Sequence, residues 1–215
     1  MSLLPPSRAS LCNLRNLRFI PFSLCVSVVN FSWKRPVFSL KELPWTQVAQ
    51  RPPCRIQKRI AEMGKQISED YKTKLPIFIG VLNGAFMFMA DLMKYVTINC
   101  EMDFFKLSSY GDEKISSGRV KLIKDLNADI SDRHLVIVED IIDSGLSINY
   151  IEQIIKEHTP ASLKVVSLLM KPESLKYDVK IDYIGFKIPN KFVIGYGLDY
   201  AQKYRNLRSI YVLSE

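Results

Sequence analysis

Cysteine is scarce in this chain, and no two of Cys12, Cys25, Cys54 and Cys100 stand at CxxC spacing. That argues against a zinc framework or a disulfide scaffold and for reduced thiols in a cytosol-like compartment. No apolar run is long enough to cross a bilayer as a helix, so no membrane partner is expected. Acid is almost missing from the first 55 residues, which carry eight Lys or Arg against the single Glu42. The other 160 residues carry 22 bases and 21 acids. The net charge of +8 therefore belongs to the N-terminal segment, and the near-neutral body argues against a nucleic-acid partner. A length of 215 residues suits one domain with a sizeable core.

Residues 1–54 read as an atypical basic extension, poorly packed. They hold both tryptophans and most of the prolines, and show no sustained period of 2 or 3.6. Three readings stay open. The composition, Arg-rich and acid-poor, is that of an organelle transit peptide. The run from Phe19 to Val29 imitates the apolar part of a secretory signal, although Pro21 interrupts it. The segment could equally be translated from upstream of the true start.

From residue 55 the pattern is regular. Ile56, Ile60, Met63 and Ile67 recur at helical spacing. Pro76 to Leu82 reads as a short apolar strand, Asn83-Gly84 as a turn, and Ala85 to Val96 as a largely buried helix. Residues 98–108 and 119–124 are strand candidates around a polar loop, Ser109 to Gly118. Leu135 to Val138 is a β-branched run of the kind buried on both faces of a parallel sheet. Gly145 to His158 is a helix with Ile148, Ile151 and Ile155 on one face. Leu163 to Leu169 and residues 181–187, 192–197 and 209–213 complete the strands. Alternating strands and helices predict an α/β fold around a mostly parallel twisted sheet. Such sheets bind ligands beyond the carboxyl ends of their strands.

The densest chemistry lies in Val136-Ile-Val-Glu-Asp-Ile-Ile-Asp-Ser-Gly-Leu-Ser147. A buried strand is expected to deliver Glu139 and Asp140 to its end, with Asp143 in the turn and Ser144, Gly145 and Ser147 opening a helix. A helix N-terminus suits a phosphate, because its first N–H groups are unpaired and its dipole end is positive. Two carboxylates beside a phosphate make sense if they hold sugar hydroxyls or a divalent cation. Sugar, phosphate and metal in one turn suggest a ribose 5-phosphate. The competing reading makes Asp143 and Ser144 helix caps and the other two acids solvated strand-end charges.

Glu139 to Ser147 resembles the phosphoribosyl diphosphate-binding motif of the type I phosphoribosyltransferases. Gly80-Val-Leu-Asn-Gly-Ala-Phe-Met-Phe-Met-Ala-Asp91 resembles the first active-site loop of the bacterial-type hypoxanthine-guanine members. Ser108-Ser-Tyr-Gly111 resembles their mobile loop. Lys171-Pro172 and Phe192-Val-Ile-Gly-Tyr-Gly-Leu-Asp-Tyr200 resemble their purine-binding segments, and Tyr204-Arg-Asn-Leu207 their closing motif. The likeness covers about residues 55–215, in family order. The short strand that usually precedes the family's first helix is not evident.

The resemblance implies the type I fold with a small hood subdomain, and transfer of the phosphoribosyl group of phosphoribosyl diphosphate to hypoxanthine or guanine with Mg2+, in a homo-oligomer (dimer or tetramer) of the cytoplasm. It implies that Glu139 and Asp140 bind the ribose hydroxyls directly or through the metal, with Asp199 as a further metal residue. Asp143 would face N7 of the purine and handle its proton. Asp143, Ser144, Gly145, Leu146 and Ser147 would enclose the 5-phosphate. Lys171 would donate to the 6-oxo oxygen, Phe192 would stack on the ring, and Val193 would supply backbone hydrogen bonds. Asn83, Gly84 and Arg205 would contact the diphosphate, and Ser109 and Tyr110 would sit on the closing loop. One departure stands out: many relatives have Lys where this chain has Asn83, in a turn that often contains a cis peptide not preceding proline. Asn keeps the backbone contacts and removes a charge. The rival from another class is a regulatory protein that keeps this fold and binds RNA; Asp143 and the complete purine segment disfavour it.

Overall fold

A computed structural model describes residues 49–51, 53–109, 120–124, 126 and 128–212. In chain order the elements are β1 (Ala49–Arg51), α1 (Pro53–Asp70), β2 (Ile77–Leu82), α2 (Phe86–Met93), β3 (Glu101–Ser109), β4 (Val120–Lys124), β5 (His134–Ile142), α3 (Leu146–Lys156), β6 (Ser162–Met170), β7 (Tyr183–Lys187), β8 (Val193–Ile194) and β9 (Ile210–Val212). Pro53 opens α1, where its missing N–H removes no helical bond.

Six strands form one sheet in the order β4-β3-β2-β5-β6-β7. The five from β3 to β7 run parallel, and β4 is an antiparallel edge. Period-2 alternation along β5 feeds two cores. Val136 and Val138 pack with the α1 stripe (Ile56, Ile60, Met63, Ile67) and with Phe88, Met89 and Leu92 of α2. Leu135 and Ile137 pack on the other face with Ile148, Ile151 and Ile155 of α3. Each side chain of this kind, fully buried, stabilises the fold by about 1.5–3 kcal/mol relative to leaving it in water. The doubly wound parallel architecture is thus the expected one.

The remaining strands form a separate antiparallel sheet, β1-β9-β8, which is the hood. Its Val193, Tyr196, Ile210 and Val212 join the same core cluster as α1 and α2.

Several details differ from the sequence reading, among them Ser109, expected to open the polar loop, which ends β3. A strand, β1, does precede the first helix, and Ala49 pairs with Tyr211 of β9. The helix α1 begins at Pro53, so a boundary at 54/55 falls inside it. The segment 192–197 is strand only over Val193–Ile194, because Gly195, Tyr196 and Gly197 all have positive φ. The helix after Asn83-Gly84 stops at Met93 instead of Val96. The expectation of poor packing for the extension concerns residues that, apart from 49–51 and 53–54, lie outside those described.

Candidate active site

The carboxyl end of β5 lies at one side of an open cleft of about 450 Å³, lined by residues of β2, β3, β5, the start of α3, Lys171, and the hood. β5 runs to Ile142, so Glu139 and Asp140 sit within the strand and not at its end. The physical reason is that β6 continues alongside, pairing Glu139 with Ser167 and Ile142 with Met170. Both acids are therefore buried, which overturns their reading as solvated strand-end charges. Burial pushes the Glu139 carboxyl well above the usual carboxylate range, and the neighbouring Asp140 adds to the shift. Burial likewise raises Asp140, to about 6. The Glu139 Oε2 atom is buried without a hydrogen-bond partner among the described residues. Such a pair calls for a cation or for hydroxyl donors.

Gly84 faces this pair. A Cβ on Gly84 would lie 1.8 Å from Asp140 Oδ2, so no other residue fits there without displacing the carboxylate. The Leu82–Asn83 peptide is cis, as in the family pattern. Leu82 and Gly84 line the cleft, whereas the Asn83 side chain is exposed and does not.

Past β5 the chain turns through Asp143 and Ser144 into α3. Gly145 occupies the N-cap position with φ 83°, and no side chain caps the helix there. Asp143 is not a cap: its Oδ2 accepts a hydrogen bond from Lys171 Nζ at 2.6 Å. The Ser144 hydroxyl accepts only a long bond, 3.4 Å, from the Leu146 amide. Ser144, Leu146 and Ser147 line the cleft at the N-terminal end of α3, the end of a helix that suits an anion. Behind it, the Ser144 carbonyl accepts from the amides of Lys176 and Tyr177. The Lys171 amide in turn bonds the Ile142 carbonyl, so the segment after β6 braces the turn into α3.

The Lys171–Asp143 pair is asymmetric. The lysine side chain is 8% exposed and the aspartate 52%. Across the cleft, Phe192 is 46% exposed, and Val193 and Leu198 line the wall beside it. Arg205 bonds the Gly197 carbonyl at 2.8 Å and forms an ion pair with Asp199 at 2.7 Å. A Cβ on Gly197, whose φ is 98°, would lie 2.1 Å from the Gly84 carbonyl oxygen. The hood and the turn at the start of α2 therefore touch, backbone to backbone.

The structure brings together Gly84, Glu139, Asp140, Asp143, Ser144, Leu146, Ser147, Lys171, Phe192, Val193, Asp199 and Arg205, with Gly145 at the helix cap. Ser109 ends β3, and Tyr110 lies outside the described residues. No group of three or more His, Cys, Asp or Glu side chains is assembled as a metal cage among the described residues. Val81, Leu82, Leu107, Ile141 and Leu198 also line the cleft and were not among the expected site residues. Their only signal was position at the carboxyl ends of strands or next to a named motif, since an apolar side chain carries no chemical mark of its own.

No helix among the described residues is long and apolar enough to cross a membrane. Residues 45–201 match the phosphoribosyl transferase domain family. A hypoxanthine-guanine phosphoribosyltransferase of Bacillus subtilis is 49% identical over 158 residues, which cover 74% of this chain and 88% of the relative. A crystal structure of a hypoxanthine phosphoribosyltransferase from Staphylococcus aureus superposes with a TM-score of 0.74 at 38% identity, covering 78% of this chain and 91% of that one. A Trypanosoma cruzi hypoxanthine phosphoribosyl transferase, studied for the role of its C-terminal region in oligomeric state and enzymatic activity, gives a TM-score of 0.74 at 40% identity, covering 80% of this chain and 94% of that one. Sequence and fold agree with these relatives: the chain belongs to the phosphoribosyltransferase family, in the group of the bacterial-type hypoxanthine-guanine enzymes.

Proposed function

We infer that this chain is a purine-salvage transferase that joins the 5-phosphoribosyl group of phosphoribosyl diphosphate to hypoxanthine or guanine, releasing diphosphate. The observation that carries the choice of base is the Lys171–Asp143 pair. On a 6-oxopurine the oxo oxygen, an acceptor, lies next to N7, which can carry a proton. A lysine donor and a carboxylate acceptor, side by side, match that edge in order.

The reaction breaks the bond between C1 of the ribose and the diphosphate oxygen, and forms a bond from C1 to a purine nitrogen. Asp143 accepts the proton that the purine loses. Lys171 holds the oxo oxygen, and Phe192 stacks on the ring. The amides and hydroxyls from Ser144 to Ser147 hold the 5-phosphate at the start of α3. Glu139 and Asp140 orient the ribose hydroxyls. Arg205 and the Asn83-Gly84 turn bind the leaving diphosphate. Ser109, the last residue of β3, leads into the segment that the family resemblance assigns to closing over the site and keeping water from the electron-poor C1.

The residues present fit Mg2+. Magnesium is usually held by one or two carboxylates together with substrate phosphates, not by an all-protein cage. The orphaned, buried Glu139 oxygen beside Asp140 supplies such a half-site, and Asp199 a second. When bound, the metal neutralises charge on the diphosphate.

The test is an assay with each base in turn. Adenine presents an amino group where Lys171 offers only donors. A site built for an acceptor can reject such an analogue by roughly 10⁴-fold. Hypoxanthine and guanine should be used efficiently and adenine almost not at all, and Lys171→Ala should slow the good substrates while narrowing the gap. Comparable use of adenine and hypoxanthine by the wild-type protein would overturn the reading.

We further propose a homo-oligomer, which the work on oligomeric state in the Trypanosoma relative supports, and action in the cytoplasm. The organelle-address reading of residues 1–54 predicts that fusing them to a reporter moves it to an organelle; a reporter left in the cytosol removes that reading.

A further inference from the structure

The chain from Asp199 to Arg205 is a tight hairpin built without glycine. Tyr200 and Lys203 exchange backbone hydrogen bonds of 3.1 and 3.0 Å. The two residues between them, Ala201 and Gln202, have φ of 49° and 63°. Positive φ at both central positions matches the type I′ pattern, which side chains other than glycine, Asn or Asp rarely adopt. Side chains hold it. Asp199 Oδ2 accepts the Gln202 amide at 2.8 Å, and Arg205 bonds both Gln202 Oε1, at 3.2 Å, and Asp199. The hairpin that presents Asp199 and Arg205 to the cleft therefore also fixes the backbone of Tyr200.

The Tyr200 ring meets Phe192 edge to face, with centroids 5.9 Å apart and planes at 86°. Phe192 lies at the lip of the cleft, and nearly half of its surface is exposed. An exposed ring without a brace samples several rotamers, and ordering it costs binding free energy each time a base enters. Edge-to-face contact with a ring on a fastened hairpin reduces that cost.

We propose that Tyr200 is a positioning residue for the purine: it braces Phe192 so that the ring is already oriented when the base arrives. This rests on the reading of Phe192 as the stacking partner. It acts through Phe192 and not on the reacting atoms, so it affects base binding and leaves the chemical step alone.

The test is a double-mutant cycle of Tyr200→Ala and Phe192→Ala, with KM measured separately for hypoxanthine and for phosphoribosyl diphosphate. Loss of one aromatic pair should raise KM for hypoxanthine about fivefold in Tyr200→Ala, with kcat and the KM for the diphosphate sugar little changed. Tyr200→Phe, which keeps the ring, should restore the wild-type value. The double variant should be no worse than Phe192→Ala alone, because the brace has nothing left to hold. If Phe192→Ala raises KM for the base and Tyr200→Ala does not, the brace is wrong and the stacking reading stands. If Phe192→Ala leaves it unchanged, both fall. Additive effects in the cycle, or a rise in KM for the diphosphate sugar alone, also overturn the proposal. Should Tyr200→Ala lose secondary structure, Tyr200→Leu carries the same test with the bulk retained.

Discussion

The six-stranded sheet and the hood form opposite walls of one cleft and are held in different ways. β5 has a strand on each side and a core on each face. β8 and β9 pair over only two positions, and β1 adds two more. The hood is instead anchored by side chains and close backbone contacts. Tyr196 reaches across to donate to Asp91 of α2, and Gln57 of α1 donates to the same carboxylate oxygen. Gly197 rests on the Gly84 carbonyl. The difference is instructive. A wall with surplus stability can carry two buried acids whose charges cost free energy. A wall with little sheet of its own depends on a few polar contacts reaching elements distant in sequence.

Three substitutions probe that contrast, and the largest effect is expected at Asp143. Asp143→Asn keeps the shape and the partner for Lys171 but removes the proton acceptor. Turnover should fall by roughly 10²–10⁴-fold, with little change in affinity for phosphoribosyl diphosphate. Steady-state kinetics with unchanged turnover would reduce Asp143 to a counter-ion for Lys171.

Asp140→Asn should separate stability from function in the sheet wall. The folded Asp140 carboxyl lies at about 6 against a usual value of 3.8. Its folded form holds the proton more tightly, so the ligand-free protein loses stability as pH rises through that window. The amide removes this penalty. At pH 7 the variant should be more stable by up to about 3 kcal/mol, at 1.36 kcal/mol per pH unit, while binding the diphosphate sugar poorly. Thermal melts at pH 4 and pH 7 check the sign: the gain should be present at pH 7 and small at pH 4. A lower melting temperature at pH 7 would mean that Asp140 is compensated in the free protein.

Tyr196→Phe is the mildest change and addresses the hood. Loss of one buried hydrogen bond costs about 1 kcal/mol, which lowers the melting temperature by roughly 2–4 °C in a chain of this size. Burial alone would raise the Asp91 carboxyl, but hydrogen bonds from Lys94, Tyr196 and Gln57 outweigh it and hold it below the usual range. That contribution is present above the unfolded carboxylate value and is lost as pH falls through the depressed one. The variant should therefore unfold at a slightly higher pH on acid titration. An unchanged acid midpoint would show that the Tyr196–Asp91 bond does not help to hold the hood.

Legibility in the sequence followed the same divide. The stripe Ile56, Ile60, Met63, Ile67 displays a helical period and the run Leu135 to Val138 an unbroken apolar stretch, and both are buried as those patterns require. β1 was invisible, because three residues display no period and their partner lies some 160 positions on, at Tyr211. β8 was overestimated, because the apolar run Phe192 to Tyr196 reads as strand while positive φ from Gly195 to Gly197 ends it.

Composition, periodicity and motif order determined the α/β class, the parallel sheet, the turn that opens α3 and the family, because those depend on local spacing. Tertiary structure alone decided that Lys171 and Asp143, 28 positions apart, form a pair, and that Glu139 is buried with an orphaned oxygen. It also decided that any side chain at Gly84 would displace the Asp140 carboxylate. Each depends on what a neighbouring strand or loop brings to the same place, and spacing along one chain does not encode that distance.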